Sequence, residues 1–370
     1  MTEVTVEEKS ALAQRDFASV NDTANDRTII NVAQPSWQGK TASIQDSHTL
    51  HQNHNLHCYH PNMQVLTATG WKCWSECREY ELFIVPDPST RSVSTERLKV
   101  VFFDTNERLY TFASARMSYQ VSSRHTMRFR PKYHEQFGTF CVKKMPHWGH
   151  FDPFRGYAVV EPVGNICPRM QLIGFFLGDG CWGSPNSVVF NLKKPRKKRY
   201  LEELCRVLGV PYGTRATSNS VKYCLSTPPF VHGYLQYGAR ASDKTFPMDR
   251  LPSLHAAEIR GLMDGLNNSD GSVRTDRPQV TYASVSESLL MLYETVCAYQ
   301  GIDAHRTHHN TQVIAYPGDR TTLESRGQHH GRMAYKGRVY CTRTSTGWLI
   351  VRGASDEFGF VCGNTSGPGW

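Results

Sequence analysis

Three places in this chain carry residue types that can rearrange a peptide bond: Cys58, the Ser122 and His125 pair, and the Asn364–Thr365 step. A thiol becomes a strong nucleophile once it is deprotonated or hydrogen-bonded, so Cys58 can attack the His57 carbonyl and turn that peptide bond into a thioester. Amide nitrogen is a poor leaving group, and the imidazole of His125 has the acidity to protonate it near neutral pH. The Asn364 amide nitrogen can attack its own backbone carbonyl, closing a succinimide and cutting the Asn364–Thr365 bond, while the Thr365 hydroxyl can take an acyl group from a thioester.

A second chemistry is available at Asp179 and Asp270. They close two similar stretches, "LIGFFLGDG" (172–180) and "DGLNNSDGS" (264–272), and each precedes a glycine that suits a helix end. Gly174 and Gly178 in the first, Gly265 and Ser269 in the second, are small residues four apart on one helix face, a spacing that lets two helices approach closely. Paired helices would bring both carboxylates to the same end. Two acids held close repel unless a cation sits between them, and Mg²⁺ takes such oxygen ligands and activates water against a phosphodiester.

The elements that must position these residues fall into two textures. From Cys58 to about 150 the chain reads as short β runs, among them "MQVLTATGWKCW", "YELFIV", "LKVVFF", "RLYTFAS", "SYQVSS" and "TMRFR", separated by turn residues. From about 168 the pattern is mixed. "RMQLIGFFLGDG", "KKRYLEELCRVLGV", "SLHAAEIRGLMDGL" and "SESLLMLYETVCAYQGI" read as helices, the second stopped by Gly209 and the last by Gly301. From about 336 the β texture returns in "GRVYCTRT", "GWLIVRG" and "FGFVCGN". A β unit is therefore split by an α+β insert, and its two parts must pair across that insert.

The 370 residues are enough for two or more domains, and a net charge of +9 favours a polyanionic partner, nucleic acid first. No apolar run approaches the roughly 18 residues of a spanning helix, and the acidic, polar start does not read as a secretory signal. Eleven scattered cysteines suit a reducing interior better than a disulfide framework, so a cytoplasmic setting is expected. Cys73 and Cys77 lack a second ligand pair for a metal. "QGKT" (38–41) lacks the first glycine of a phosphate loop, "TIINVA" (28–33) reads as one strand, and "HQNHNLH" (51–57) reads as a solvated linker. The basic run Lys193, Lys194, Arg196, Lys197, Lys198 and Arg199 reads either as a DNA-backbone contact or as a solvated helix start.

The order of Cys58, "SSRH" (122–125), "GRVYCTRTSTGWLIV" (337–351) and "GFVCGNT" (359–365), wrapped around the insert, resembles the splicing blocks of an intein. The paired nonamers of 165–310, with acids 91 residues apart, resemble a two-motif LAGLIDADG homing endonuclease. The resemblance implies a mainly β, horseshoe-like Hint splicing domain split by an α+β endonuclease domain, an αββαββα pseudo-repeat whose sheets form a saddle over double-stranded DNA. It divides the chain into an N-extein flank (1–57), Hint parts at 58–164 and 311–364, an endonuclease at 165–310 and a short or truncated C-extein (365–370).

The implied activity is excision of residues 58–364 with ligation of the flanks in cis, needing no cofactor, plus Mg²⁺-dependent DNA cleavage by a monomer. The implied roles fall on Cys58, Ser122, His125, Cys341, Asn364 and Thr365 for splicing, and on Asp179 and Asp270 as metal-binding acids. Cys341 matches a position that assists transfer steps; its plain alternative is a buried strand cysteine. Cys362 reads as structural. A free endonuclease, or a splicing domain with a decayed nuclease, are the alternatives. The chain departs from the family pattern in four places. Ser122 replaces a threonine, Asn268 an acid of the second nonamer, and Gly363 a histidine before the final asparagine, while Trp348 stands where a second assisting histidine is common. His329 and His330 are the nearest histidines in sequence, and asparagine cyclisation is the step expected to be slow.

Overall fold

The computed structural model describes residues 57–114, 116–161, 163–274, 276, 279–307, 311–317, 323–326, 329–354 and 358–364. The expectations for 1–56, including the strand at 28–33, and for Thr365 lie outside the described residues.

The N-terminal β unit contains β1 (Gln64–Thr67), β2 (Gly70–Cys73), β3 (Tyr80–Asp87), β4 (Ser92–Lys99), β5 (Val101–Ala113), β6 (Ser118–Val121), β7 (Thr126–Pro131), β8 (Gly138–Cys141) and β9 (Gly149–Phe151). The insert follows as α1 (Pro168–Asp179), β10 (Gly180–Ser184), β11 (Ser187–Leu192), α2 (Pro195–Leu208), β12 (Tyr212–Ala216) and β13 (Val221–Ser226). It then repeats the same order as α3 (Ala256–Asp270), β14 (Gly271–Arg274), β15 (Gln279–Ala283), α4 (Glu287–Tyr299), β16 (Asp303–Arg306) and β17 (Gln312–Tyr316). The β unit resumes with β18 (Leu323–Ser325), β19 (His330–Cys341), β20 (Trp348–Arg352) and β21 (Phe360–Gly363).

The two β parts interlock across the insert. β19 pairs antiparallel with β5 along its whole length, from His330 opposite Phe112 to Cys341 opposite Val101. β20 and β21 sit inside a ten-stranded sheet in the order β18-β9-β7-β21-β20-β1-β3-β4, so C-terminal strands are flanked on both sides by N-terminal ones. Val351, Phe360 and Cys362 from the C-terminal part share one apolar core with Val65, Phe83, Met127 and Phe129.

Within the insert both four-stranded sheets have the same order, β10-β11-β13-β12 and β14-β15-β17-β16. Each half is therefore αββαββ; among the described residues the closing helix of the expected repeat is absent after β17. The sheet ending at Tyr316 also moves the end of the insert past the expected boundary at 310, because β17 pairs with β15 and β16. Helices α1 and α3 touch backbone to backbone. A Cβ on Gly174 would lie 2.4 Å from the Leu262 carbonyl oxygen, and one on Gly265 would lie 2.2 Å from that of Gln171. The glycines after the two acids serve packing rather than a left-handed turn. Gly180 and Gly271 have φ of −84° and −76°, and added Cβ atoms would meet Phe176 Cδ2 at 2.4 Å and the Asn267 carbonyl at 2.3 Å.

The insert and the β unit share a core. Leu66, Ile84, Ile350 and Val361 belong to the same buried cluster as Leu290, Tyr293 and Val296 of α4. Polar contacts reinforce this seam. The Tyr299 hydroxyl donates to the Ala68 carbonyl at 2.7 Å, and Arg352 donates to Glu294 Oε1 and to Gln64 Oε1, both at 2.7 Å.

Candidate functional sites

The first site forms where the two ends of the β unit meet. Tyr59 and Tyr340 exchange backbone hydrogen bonds of 2.8 and 2.9 Å, so Cys58, one residue before, faces Cys341, one residue after, as the close non-hydrogen-bonded neighbour of an antiparallel pair. Both thiols are fully buried. The Cys58 N–H donates to Ser122 Oγ at 3.1 Å, the Ser122 N–H donates to the Cys58 carbonyl at 3.0 Å, and the His125 N–H donates to the Ser122 carbonyl at 3.1 Å. The serine hydroxyl thus holds the amide nitrogen that would have to leave, and the turn it starts carries the histidine beside it.

Asn364 arrives from the other side at the end of β21, which is locked between β20 and β7. It is buried; its N–H donates to the Gly347 carbonyl at 2.7 Å, and its Oδ1 lies 3.9 Å from the Cys341 thiol. Its Nδ2, the atom that cyclisation needs, is buried without a hydrogen-bond partner. The structure therefore brings Cys58, Ser122, His125, Cys341 and Asn364 into one pocket.

This pocket explains the missing histidine. A Cβ on Gly363 would fall 1.9 Å from Thr126 Oγ1 and 2.6 Å from the Thr126 carbonyl, so no larger side chain fits. His329 and His330 do not substitute. They stand at the start of β19, roughly 35 Å from Cys341 at the usual rise per strand residue, against Phe112, and His330 also meets His147 and Ser325. Two residues are present instead: Tyr59, which sequence reasoning passed over, and Cys362, which it read as structural. The Tyr59 hydroxyl donates to the Gly363 carbonyl at 2.6 Å, and Cys362 Sγ lies 3.1 Å from His125 Nε2. Only the spacing of Cys362, two before Asn364, could have signalled it, because alternate strand residues share a face.

Burial sets the protonation states. The neighbouring Cys341 thiol and burial push the Cys58 thiol well above its ordinary range. Burial, then the nearby His57, push His125 well below the ordinary imidazole value. Burial alone brings His57 down to about 4. Cys58, His125 and His57 therefore rest uncharged.

The second site lies at the C-terminal ends of α1 and α3. The close packing delivers Asp179 and Asp270 side by side, and the Lys197 ammonium, from the first turn of α2, reaches both. It is 2.6 and 2.8 Å from the two Asp179 oxygens and 3.6 Å from Asp270 Oδ1. Arg196 donates to the carbonyls of Asn268 and Gly271 at 3.2 and 3.1 Å, closing the end of α3. The corresponding end of α1 is closed by Lys244, whose buried ammonium donates to the carbonyls of Phe176, Leu177 and Gly178 at 3.2, 3.0 and 3.1 Å. Lys244 comes from the connection between the halves and carried no sequence signal. Burial, and then Asp179, raise the Asp270 carboxyl above its ordinary value, while Lys197 and Lys244 oppose that shift.

Of the six expected DNA contacts, Lys197 is paired with the acids, Arg196 bonds the backbone at the end of α3, Lys198 is half-buried, and Lys193, Lys194 and Arg199 are exposed. So many cations at a helix start oppose the helix dipole, which favours anions there; the Asp179 carboxylate supplies one. Asn268 turns its side chain back onto its own helix, donating to the Asp264 carbonyl at 3.0 Å. The two carboxylates suit a hard divalent cation. Among the described residues no group of three or more His, Cys, Asp or Glu could hold a metal ion, so water and substrate would complete its shell.

No family model and no curated protein matches this chain. Several solved structures do. Full-length DUF199/WhiA from Thermatoga maritima is 16% identical with a TM-score of 0.31, over 41% of this chain and 50% of that one. Mesophilic variants of the homing endonuclease I-DmoI are 12% identical with a TM-score of 0.28, over 40% of this chain and 87% of theirs. The homing endonuclease I-WcaI, bound to its DNA recognition sequence, is 15% identical with a TM-score of 0.28, over 42% and 78%. The chain thus spans half the length of the first of these. Similarities of this size carry no argument about activity.

Proposed function

We propose that this chain splices itself, releasing Cys58–Asn364 and joining its flanks, and that the insert is a metal-dependent DNA endonuclease. The observation that carries the first part is the convergence of Cys58 and Asn364, 306 positions apart in sequence, on one buried pocket with Ser122, His125 and Cys341. The Cys58 sulfur attacks the His57 carbonyl; the S–C bond forms, the C–N bond breaks, and the thiol proton ends on the released nitrogen, which His125 faces. The Thr365 hydroxyl then takes the acyl group, returning its proton to sulfur. Asn364 Nδ2 attacks its own carbonyl, the bond to Thr365 breaks, and a proton passes to the Thr365 nitrogen. The resulting ester rearranges to an amide between His57 and Thr365. No external reactant is consumed, and each step exchanges one acyl bond for another.

The second part is supported by the two carboxylates at the paired helix ends, ringed by Lys197, Arg196 and Lys244. Asp179 and Asp270 would hold a divalent cation, which supplies Lewis-acid activation of water and phosphate. The surrounding cations neutralise a phosphodiester, and double-stranded DNA is the partner that the net charge and the exposed Lys193, Lys194 and Arg199 suit. Intact mass of the purified chain tests the first part. A species of 307 residues and a ligated peptide of residues 1–57 and 365–370 are expected, and a wild-type chain that stays whole counts against splicing.

A further inference from the structure

His125 is fully buried and held neutral, so its ring has one N–H and one lone pair to distribute between two nitrogens. Its Nε2 faces Cys362 Sγ at 3.1 Å. The ring also meets backbone hydrogen-bond acceptors of Gly363 and Cys58, and Cys362 adjoins Gly363, so Nδ1 is the nitrogen on the Cys58 side. A neutral imidazole can act on the departing Cys58 nitrogen as an acid only if the proton is on Nδ1.

We propose that Cys362 is a positioning residue, its thiol donating to Nε2 and thereby holding the His125 proton on Nδ1 toward the scissile amide. This rests on the splicing reading. The thiol has four acceptors in reach: Nε2 at 3.1 Å, the Met127 thioether at 3.3 Å, the Thr126 carbonyl at 4.0 Å and the Tyr59 hydroxyl, a weaker acceptor than an imidazole nitrogen that itself donates to the Gly363 carbonyl. A thioether is a weak acceptor and the carbonyl is at the limit of contact, so the imidazole lone pair is the best partner. Two rings pack against the imidazole. The edge of Tyr59 stands at 4.5 Å between ring centres and His57 at 5.3 Å. The sulfur is fixed, since β21 pairs Cys362 with Leu349 on one side and Met127 on the other. Which nitrogen of a histidine carries the proton is set by the hydrogen bond the other makes; here that bond comes from a thiol.

The test has two readouts. In the full chain blocked by Cys58→Ala and Asn364→Ala, imidazole ¹⁵N shifts report the tautomer directly. His125 should be protonated at Nδ1 when Cys362 is present and should lose that preference in Cys362→Ala. In the otherwise unmodified chain, Cys362→Ala should slow release of residues 1–57 by an added thiol about 10- to 100-fold, the range of a misplaced general acid. Release of residues 365–370 should change less than about threefold, and Cys362→Ser, which keeps a donor, should recover most of the first rate. A ring protonated at Nε2 in the Cys362 chain overturns the assignment whether or not the chain splices. So does an equal slowing of both steps. The expected tautomer in a wild-type chain that releases neither flank would instead overturn the splicing reading.

Discussion

The two sites of this molecule are built on opposite plans. The site at the seam of the β unit draws its residues from four separate segments, is buried, and holds Cys58 and His125 uncharged. The site in the insert sits at two equivalent helix ends, is partly open and crowds two carboxylates with three cations. The difference follows from what each would act on. A site whose substrate is its own backbone needs no entrance, and burial protects thioester and ester intermediates from water. A site for a duplex must stay open and positively charged, because the phosphate backbone supplies most of the affinity.

The sharpest way to break this contrast is to disable one plan and watch the other. Cys58→Ala with Asn364→Ala should abolish the 307-residue product, by roughly a thousandfold or more as expected for a lost nucleophile, while leaving Mg²⁺-dependent cleavage of the uninterrupted target gene within about twofold. Asp179→Asn with Asp270→Asn should do the reverse. If either pair disables both activities, the sites are not independent.

Next in size are the glycine positions. Gly363→His introduces the histidine common in the splicing blocks this segment resembles, yet overpacking against Thr126 should cost about 1–3 kcal/mol in thermal unfolding and should not speed release of residues 365–370. Gly265→Ala should cost about as much by driving α1 and α3 apart, and should lower DNA cleavage far more than splicing.

Acid should separate the plans further. His57 is depressed to about 4 in the folded chain, so between its ordinary value of about 6.5 and about 4 the unfolded chain binds the extra proton. Its contribution to stability is complete above that window and is lost as pH falls through it, which melting temperatures across the range would register. The Cys58 thiol is shifted the other way, so its thiolate share, and with it the rate of product formation, should climb with pH through the neutral range.

The smallest effect expected is electrostatic. Lys193→Ala and Lys194→Ala should each reduce the salt dependence of DNA binding by about one unit of slope, with no change in product formation. A splicing rate that responds to these exposed lysines would blur the distinction.

Much of this was legible in the sequence because it depends on spacing. The four helices follow from period and the paired nonamers from small-residue spacing, while Cys58, Ser122, His125, Cys341 and Asn364 were singled out by the resemblance to splicing blocks and lie here in one buried cluster. What escaped was contact between distant segments. The exclusion of a side chain at Gly363 depends on Thr126, the tautomer of His125 on Cys362, and the end of α1 on Lys244. None of these partners is close in sequence, and none belongs to a motif. The boundary at 310 failed for a related reason: a short strand such as β17 looks alike in either domain until its pairing partner is known. The histidines at 329 and 330 were adjacent in sequence to the right strand but lie at its wrong end.

The shared core under α4 bears on how such a chain can change over generations. On the proposed reading, a loss of DNA cutting would free the two acids to change, but not the helices. Removing the insert would strip Leu66, Ile84, Ile350 and Val361 of the apolar surface that covers them, and several substitutions would have to arrive with the deletion. A nuclease without activity would then persist as a buttress, kept by the domain that it interrupts.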